Sequence, residues 1–261
     1  MEGRKYKATI AYDGTGYSGW QCQDNALGIQ QVVEEVLSGL EGGPVRVYGS
    51  SRTDAGVHAT GFCAHFALTK PIPPANLVRA ANARLPDAIR FLRASLAKPG
   101  FDARLSAKGK EYRYRIYNAA IMPPHLAPYW THCAKPLDAA AMAEAAKYFA
   151  GRHDFVSFAA NPDRELETTV RTVFSFDVKK AGPRIELIVR GDGFLYKQVR
   201  SMAGFLIAVG LGREKPCAVR ELLEAARPRT ARVETAPARG LFLAKVFYAP
   251  VKARKAPGRS G

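Results

Sequence analysis

The strongest constraint on the fold is an order of hydrophobic patterns that occurs twice along the chain. Alternating apolar residues predict strands, and apolar residues three or four positions apart predict helices. In both halves the predicted order is strand, helix, strand, strand, helix, strand, with one additional helix near the end of the second half. This is the order of the ferredoxin-like unit, an antiparallel sheet covered by helices on one face. We therefore predict an α+β protein with two ferredoxin-like halves, 1–100 and 101–250, and a basic flexible tail, 251–261.

The individual elements follow from the same patterns. The predicted strands are 5–12, a short one at Val45 and Val47, 62–68, 88–97, 110–118, 170–179, 184–190 and 241–248. The predicted helices are 28–40, one opening at Pro74, 137–150, 194–211 and 216–227. The boundary between the halves is expected near 98–100, at Lys-Pro-Gly. No strong sequence repeat accompanies the pattern, so the predicted duplication is structural.

Composition excludes several classes of protein. The chain has 261 residues, of which 47% are hydrophobic and 24% charged, so wholesale disorder is excluded. Its apolar stretches are far shorter than the roughly 18 residues of a membrane span. The first residues lack an apolar signal core, and we expect a cytoplasmic protein. The four cysteines form no CxxC pair, which argues against a zinc knuckle or a disulfide scaffold.

Charge indicates the kind of partner. Lys and Arg number 39 against 23 Asp and Glu, a formal net charge of +16. Such a balance favours RNA, DNA or an anionic membrane surface, although some small proteins are simply basic. The sheet faces that ferredoxin-like units leave uncovered could contact RNA through basic and aromatic side chains. Lys and Arg are dense between residues 79 and 115, and we expect some of them to contact phosphates.

One segment has the composition of a ligand site. Residues 49–59, GSSRTDAGVHA, lie in the predicted loop between the second and third strands. The segment is small, polar and glycine-containing, which suits a loop whose backbone a ligand approaches closely. It also places the carboxylate of Asp54 beside the guanidinium of Arg52. An ordinary loop with a local Arg52–Asp54 pair would show the same composition.

Residues 51–59 closely resemble GRTDAGVHA, the signature of the tRNA pseudouridine synthase A family. Further segments are similar to that family's motifs, in the same order along the chain. They are YDG at 12–14, YSGWQ at 17–21, FDAR at 101–104, KEYRY at 110–114, HDF and SF within 153–158, and GDGFLYKQVR at 191–200. The matches span nearly the whole chain, and their shared order makes the resemblance specific.

The resemblance implies a fold, an activity and partners. Members of this family isomerise uridine to pseudouridine in the anticodon arm of tRNA, at positions thirty-eight, thirty-nine and forty, without a cofactor or a metal. Their two ferredoxin-like halves form one continuous, mostly antiparallel sheet, with the active cleft between the halves. They act as homodimers, with tRNA crossing both subunits. We expect the same of this chain, and no membrane partner.

The resemblance also assigns three catalytic residues. Asp54 aligns with the family's catalytic aspartate, which can attack carbon or remove a sugar proton; the sequence does not decide between these routes. Arg200 aligns with an active-site arginine that would keep Asp54 ionised and oriented; a phosphate-contacting Arg on a basic helix is the alternative. Tyr112 aligns with a tyrosine that could stack on the flipped base and assist proton transfer.

The remaining candidates are substrate-binding residues. Arg52 is expected to enter the space left by the extruded nucleotide, unless it only pairs with Asp54. For His58, an RNA contact and a buried hydrogen-bonding histidine are equally open. Tyr114 shares a strand face with Tyr112, and a core or RNA-surface aromatic is the favoured interpretation for it. The other three candidates are Thr53, Gly56 and Lys110.

Two departures from the family pattern concern the neighbourhood of these residues. Ser51 replaces the first Gly of GRTDAG, which would be unfavourable if that position needed a positive φ. Gln198 and Ser201 flank Arg200 where the family usually has MVRN. Neither change removes a reacting group, but both leave open a shifted site preference or a lower rate.

Two other functions are compatible with the fold. The first is an RNA-binding module without catalysis, which predicts salt-sensitive RNA binding and no isomerisation. The second is a different enzyme on the same fold, which would need a metal or phosphate site. The sequence contains no HExxH, no GxxxxGK[ST] and no cysteine cluster. The presence of Asp54, Tyr112 and Arg200 favours the pseudouridine synthase.

Overall fold

A computed structural model describes residues 3–23, 25–160 and 168–251. Most of the predicted tail, residues 252–261, lies outside the described residues. The strands are β1 (Arg4–Tyr12), β2 (Tyr48–Gly49), β3 (His58–Leu68), β4 (Ile89–Leu96), β5 (Gly109–Asn118), β6 (Thr131–Cys133), β7 (Gly151–Asp154), β8 (Val170–Ala181), β9 (Arg184–Gly191) and β10 (Leu241–Phe247). The helices are α1 (Ile29–Glu41), α2 (Pro74–Asn82), α3 (Ala139–Tyr148), α4 (Gln198–Gly210) and α5 (Ala218–Ala225).

The chain divides into two compact units. Of the described residues, those up to 108 and those in 242–249 form the first unit, and those in 109–241 together with 250 and 251 form the second. This division lies after the boundary predicted near 98–100. The reason is that residues 101–108 hydrogen-bond within the first unit: the Lys108 amide donates to the Phe247 carbonyl, and the Tyr248 hydroxyl donates to the Ala103 carbonyl.

The first unit has the ferredoxin-like strand order. β1 lies between β3 and β4 and is antiparallel to both, and β2 pairs antiparallel with β3. β10 joins β3 in parallel, with Phe242 opposite His58. Alternate residues of β1, from Tyr6 to Tyr12, are almost fully buried, as are Ile29, Val33 and Leu37 of α1. The period of two in the strand and of about four in the helix thus place one apolar face of each element in the core.

The second unit is also a mostly antiparallel sheet covered by helices. β9 lies between β5 and β8 and is antiparallel to both, β7 pairs with the outer edge of β8, and β6 runs parallel to β5. α3 and α4 pack against each other and cover this sheet at β8 and β5. Tyr114, Ile116, Leu187 and Phe205 are buried in its core. The α+β class and the predicted ferredoxin-like order in each half are confirmed.

Some element boundaries differ from the sequence-based expectation. The short strand is Tyr48–Gly49 rather than Val45 and Val47. α4 begins at Gln198, four residues later than predicted, because Lys197 has a left-handed backbone with φ of 58° that interrupts the helix. β6 and β7 were not predicted, since each is too short to show a period. Among the helices of the described ranges, none is long and apolar enough to cross a membrane.

Candidate active site

The loop that carries Asp54 connects β2 to β3. At its start, the Ser50 amide donates to the Cys63 carbonyl at 2.8 Å, and the Ser50 side chain is fully buried. At its end, the Val57 amide donates to the Asp54 carbonyl at 3.1 Å, which closes a four-residue turn. Asp54 is half-buried and Arg52 is exposed. Both ends of the loop are therefore fixed, while the candidate reacting side chains lie at its surface.

Residues of the YSGWQ motif, 17–21, hold this loop in place. The Trp20 amide donates to the Thr53 carbonyl at 3.1 Å, and the Trp20 indole stacks on Phe62 with ring centroids 3.9 Å apart. Gly19 has a φ of 90°, and a Cβ placed there would lie 2.3 Å from the Thr53 carbonyl oxygen. Only glycine allows this approach of the two backbones. The GW pair is thus a support for the Asp54 loop, a role that the sequence analysis did not assign.

Tyr12 of the YDG motif and Tyr17 of the YSGWQ motif also hold this loop. The hydroxyls of Tyr12 and Thr53 are 2.9 Å apart and form a buried hydrogen bond. The Gly56 amide donates to the Tyr17 carbonyl at 3.3 Å. Thr53 is 8% exposed, its hydroxyl bonds the Tyr12 hydroxyl and its carbonyl accepts from the Trp20 amide. These contacts assign its side chain a supporting role in the loop, and a substrate contact by Thr53 stays a prediction.

His58 is also buried, at 1% exposed. Its Nδ1 accepts a hydrogen bond from the Gly14 amide at 3.0 Å and lies 3.1 Å from Oδ1 of Asp13. Its ring stacks on Phe242, with centroids 4.6 Å apart and planes 21° from parallel. Of the two alternatives left open for His58, the structure favours the buried hydrogen-bonding histidine. The imidazole is enclosed by the protein's own groups, and a substrate contact by His58 stays a prediction.

The Ser51 departure carries no backbone strain. Among the described residues other than glycine, only Lys197 and Ala226 have a positive φ. Ser51 therefore occupies a backbone conformation that any L residue can adopt. The expected penalty for replacing the family's glycine at this position does not arise.

Tyr112 lies on β5 in the second unit, opposite Val189 of β9. It is 6% exposed, and its ring meets Phe194 edge to face, with centroids 5.4 Å apart and planes at 88°. Phe194 belongs to the GDGFLYKQVR segment that also contains Arg200. Two motifs that are about eighty residues apart in sequence are thus brought into contact. Lys110 is half-buried and lies on the same face of β5 as Tyr112.

Tyr114 is a core residue. It is 1% exposed, and its hydroxyl lies 2.6 Å from the Thr131 hydroxyl and donates to the Pro237 carbonyl at 2.9 Å. Burial raises the pKa of its hydroxyl above the ordinary value. Its ring is buried and its hydroxyl is bonded within the second unit, and its assignment as a substrate-binding residue stays a prediction. The core alternative is the one that the structure favours.

Arg200 is held by a segment that the sequence analysis did not consider. The Ala236 amide donates to the Arg200 carbonyl at 3.1 Å, and Nε of Arg200 donates to the Ala236 carbonyl at 2.8 Å. We call residues 234–237 the brace. It lies so close to α4 that a Cβ at Gly204 would be 2.1 Å from the Glu234 carbonyl oxygen. The brace sets the direction of the Arg200 side chain, and Arg200 is half-buried.

The two departures beside Arg200 are accommodated within the same region. Gln198 is fully buried, and its Oε1 accepts a hydrogen bond from the Leu195 amide at 2.8 Å. Ser201 is fully buried as well, and Nη1 of Arg229 donates to its hydroxyl at 3.2 Å. The same Nη1 also donates to the hydroxyl of Thr235, a residue of the brace. Both side chains thus take part in holding the first turn of α4.

The face of β5 opposite Tyr112 carries compensated charges. Glu111 is 5% exposed and accepts hydrogen bonds from Nε of Arg113 at 2.9 Å and Nε of Arg190 at 2.7 Å. Burial alone would raise the pKa of Glu111, but the two guanidinium groups outweigh it and lower the pKa below its ordinary value. The carboxylate therefore remains ionised within the pair network.

Glu186 extends this network along the sheet. It pairs with Nη1 of Arg113 at 3.4 Å and with Nε of Arg115 at 3.6 Å. Arg190 also reaches Asp177 at 3.8 Å. The arginines of this face thus have carboxylate partners within the second unit, which does not favour the idea that they serve mainly as phosphate contacts.

The candidate residues fall into two groups. Arg52, Thr53, Asp54, Gly56 and His58 belong to the first unit, whereas Lys110, Tyr112, Tyr114 and Arg200 belong to the second. The pairing of Arg200 with Asp54 stays a prediction. In the part of the chain that the structure describes, no group of three or more His, Cys, Asp or Glu side chains is arranged to hold a metal ion.

Comparison with known proteins supplies an independent line of evidence. Residues 8–104 and 145–249 match a family model described as tRNA pseudouridine synthase. A protein of Pelobacter propionicus named tRNA pseudouridine synthase A is 46% identical over 245 residues, covering 94% of this chain and all of that protein. A protein of the same name from Syntrophotalea carbinolica is 45% identical over 92% of this chain and 95% of its own length.

Proposed function

The chain belongs to the tRNA pseudouridine synthase family, and we propose that it isomerises uridine to pseudouridine in the anticodon arm of tRNA, at positions thirty-eight, thirty-nine and forty. The enzyme is an isomerase acting on tRNA. The observation that supports Asp54 as the reacting group is its loop, whose backbone is fixed at Thr53, Gly56 and Val57 while Asp54 stays half-buried. A preorganised loop of this kind holds a reacting group in position at little entropic cost.

The reaction requires no external reactant. The bond between N1 of uracil and C1′ of ribose breaks, the base rotates, and a bond forms between C5 and C1′. The proton on C5 leaves and N1 gains one, so atoms and electrons balance without a cofactor. Asp54 serves either as a nucleophile at carbon, whose bond to that carbon breaks again before the product leaves, or as the base that removes a sugar proton and later returns it to the sugar.

The other candidate residues surround this step. Arg200 orients the Asp54 carboxylate, as an arginine can through its planar guanidinium group. Tyr112 contacts the uracil ring and assists the proton transfer at C5. Arg52, which is exposed beside Asp54, supports extrusion of the target nucleotide. Lys110 and Gly56 line the path of the RNA.

The assembly and its setting are part of the same proposal. We infer a cytoplasmic homodimer that binds one tRNA across both subunits, as in the family that the chain resembles. Light scattering coupled to size-exclusion chromatography measures the dimer directly, with twice the chain mass of 28.4 kDa expected. A monomer at micromolar concentration that still modifies tRNA would contradict this part alone.

The central test is pseudouridine formation in an unmodified tRNA, read by carbodiimide labelling and primer extension. The wild type should form pseudouridine, and Asp54→Ala and Asp54→Asn should not. Asp54→Asn is the sharper variant because it keeps the shape of the side chain and removes its charge. Asp87→Asn is a matched control, since Asp87 is a fully exposed carboxylate of the same unit that pairs only locally with Arg90.

Two outcomes would overturn the proposal. Normal turnover by Asp54→Ala would remove Asp54 from the reaction. Salt-sensitive tRNA binding without product from the wild type would favour the RNA-binding module instead. Substituting each target uridine of the transcript by cytidine in turn shows which of the three positions is modified.

A further inference from the structure

His58 lies next to the Asp54 turn without being part of the reacting surface. It is the first residue of β3 and follows Val57, the residue that closes the turn. Its imidazole is 1% exposed, so RNA cannot reach it without displacement of its neighbours. A buried, hydrogen-bonded group beside a reactive loop is suited to positioning that loop rather than to contacting substrate.

The partner of His58 is the turn that follows β1. The Gly14 amide donates to Nδ1 of His58 at 3.0 Å. Gly14 in turn lies directly against the Asp54 turn, because a Cβ at Gly14 would be 2.1 Å from the Val57 carbonyl oxygen. The hydrogen bond from the Gly14 amide to His58 therefore holds Gly14 against the carbonyl of Val57, the residue that precedes His58.

The contact continues from Gly14 to the middle of the Asp54 turn. The Gly14 carbonyl accepts a hydrogen bond from the Tyr17 amide at 3.0 Å, and the Tyr17 carbonyl accepts one from the Gly56 amide at 3.3 Å. The turn from Asp54 to Val57 is thus attached to residues 14–17 at both Gly56 and Val57. Displacement of Gly14 would move both attachments and, with them, the backbone that carries the Asp54 carboxylate.

The protonation state of the imidazole decides which neighbour it holds. Nδ1 lies 3.0 Å from the Gly14 amide and 3.1 Å from Oδ1 of Asp13. An unprotonated Nδ1 accepts from Gly14, whereas a protonated Nδ1 donates to Asp13 and can no longer accept. Asp13 has another donor, since its Oδ1 also accepts from the Thr15 amide at 2.9 Å. The stack on Phe242 keeps the ring plane in place for either contact.

We infer that His58 is a positioning residue for Asp54, acting as a neutral imidazole whose unprotonated Nδ1 holds the Gly14 amide against the Asp54 turn. The inference rests on the proposed role of Asp54 and adds to it a second residue of the same motif. It replaces the substrate contact that the sequence alone left open for His58.

Three substitutions separate the position of the acceptor atom from the shape of the ring. In His58→Asn, Oδ1 is as many bonds from Cβ as Nδ1 is in histidine, so it can accept from Gly14. In His58→Gln, the amide lies one bond further out, where Nε2 would be. His58→Phe keeps the stacked ring and removes the acceptor. We expect the Phe and Gln variants to lose at least about tenfold in kcat, with tRNA Kd within about twofold, and Asn to recover most of kcat.

Two additional measurements keep the test decisive if a variant is unstable. Thermal unfolding of each variant shows whether it is folded at the assay temperature. In the wild type, the side-chain ¹⁵N spectrum of the five histidines reports whether Nδ1 of His58 carries a proton. We expect an unprotonated Nδ1 and a proton on Nε2. The variant His58→Asn identifies the His58 signals by their loss.

The inference would be overturned by equal kcat for the folded Asn, Gln and Phe variants, or by a protonated Nδ1 in the active wild-type enzyme. A loss that appears in tRNA Kd rather than in kcat would restore the substrate contact. Failure of the proposed function looks different, because Asp54→Ala would then keep its activity whatever His58 does. An inactive Asp54→Ala beside three fully active His58 variants would remove only the positioning role.

Discussion

Arg200 and Ala236 are joined by two hydrogen bonds of opposite direction, one from the Ala236 amide to the Arg200 carbonyl and one from Nε of Arg200 to the Ala236 carbonyl. The side chain of Arg200 is thereby bonded to the same residue as its backbone. An arginine on the exposed first turn of a helix would ordinarily sample several rotamers, and loss of that freedom costs roughly 2 kcal/mol. Because these hydrogen bonds form on folding, Arg200 loses this rotamer freedom before any substrate binds.

Gly204→Ala tests the brace. Its Cβ would lie 2.1 Å from the Glu234 carbonyl oxygen, so residues 234–237 must move away from α4. We expect a loss of about 1–3 kcal/mol in the free energy of unfolding, measured by urea denaturation, and a lower kcat. Gly39→Ala is the control, because Gly39 is an exposed residue of α1 with no atom within 4 Å of the added carbon. It should stabilise the protein by about 0.5–1 kcal/mol and leave kcat unchanged. Equal behaviour of the two variants would argue against the brace.

Gly19→Ala and Gly16→Ala distinguish the effect of backbone strain from the effect of a steric clash with the Asp54 loop. Both glycines have a positive φ, 90° at Gly19 and 81° at Gly16, so alanine costs about 1–2 kcal/mol at either position. Only Gly19 lies against the Asp54 loop, where the added carbon would be 2.3 Å from the Thr53 carbonyl oxygen; nothing lies within 4 Å at Gly16. We therefore expect Gly19→Ala to lose most of the pseudouridine-forming activity and Gly16→Ala to keep it. Activity retained in both variants would show that the loop tolerates displacement at Thr53.

Tyr112→Phe and Tyr114→Phe distinguish a reacting tyrosine from a core tyrosine on one strand. Tyr114→Phe leaves the Pro237 carbonyl without the hydroxyl that donates to it, so we expect a loss of about 1–3 kcal/mol in the free energy of unfolding. At a temperature where that variant is folded, its kcat should be close to that of the wild type. Tyr112→Phe should show the reverse, a lower kcat with a smaller change in stability. The denaturation midpoint and the single-turnover rate of each variant decide the matter.

The sequence predicts elements well where burial produces a period. The alternation of β1 from Tyr6 to Tyr12 is visible because one face of the strand is fully buried and the other is not. The predicted strand at Val45 and Val47 is wrong for an equally physical reason. Both valines are buried, but the Val47 carbonyl and amide are bonded by the side chains of Gln30 and Glu34 of α1 instead of by a neighbouring strand. Hydrophobic patterning indicates which residues are buried, but it does not indicate where backbone amides and carbonyls find hydrogen-bond partners.

The sequence predicted only those parts of the candidate site that lie within contiguous motifs. The resemblance proposed Asp54, Tyr112 and Arg200 and favoured a core or RNA-surface role for Tyr114. It could not show that the Tyr114 hydroxyl has a buried partner, because residues two apart on a strand show the same pattern whether a partner hydroxyl lies beside them or not. The brace could not be predicted either, since Ala236 is 36 residues from Arg200 and has no polar side chain. Two glycines were the available signal for these supports. At Gly19 and Gly204 another backbone segment lies too close to leave room for a Cβ.

Stability below neutral pH should depend on Glu111. Its pKa in the folded protein lies below the ordinary value of 4.5, because the hydrogen bonds from Arg113 and Arg190 outweigh the effect of burial. In the unfolded chain these bonds are absent and the pKa returns towards 4.5. A depressed folded pKa means that the contribution to stability is fully present above the unfolded pKa and is lost as the pH falls through the folded pKa.

Glu111→Gln should therefore be less stable than the wild type at pH 7 by about 1–3 kcal/mol, and the difference should shrink once the pH falls below about 4.5. Urea denaturation at a series of pH values measures it, with Glu224→Gln, an exposed glutamate of α5, as the control. A difference between wild type and Glu111→Gln that stays constant with pH would show that the pair network contributes through packing and not through the charge of Glu111.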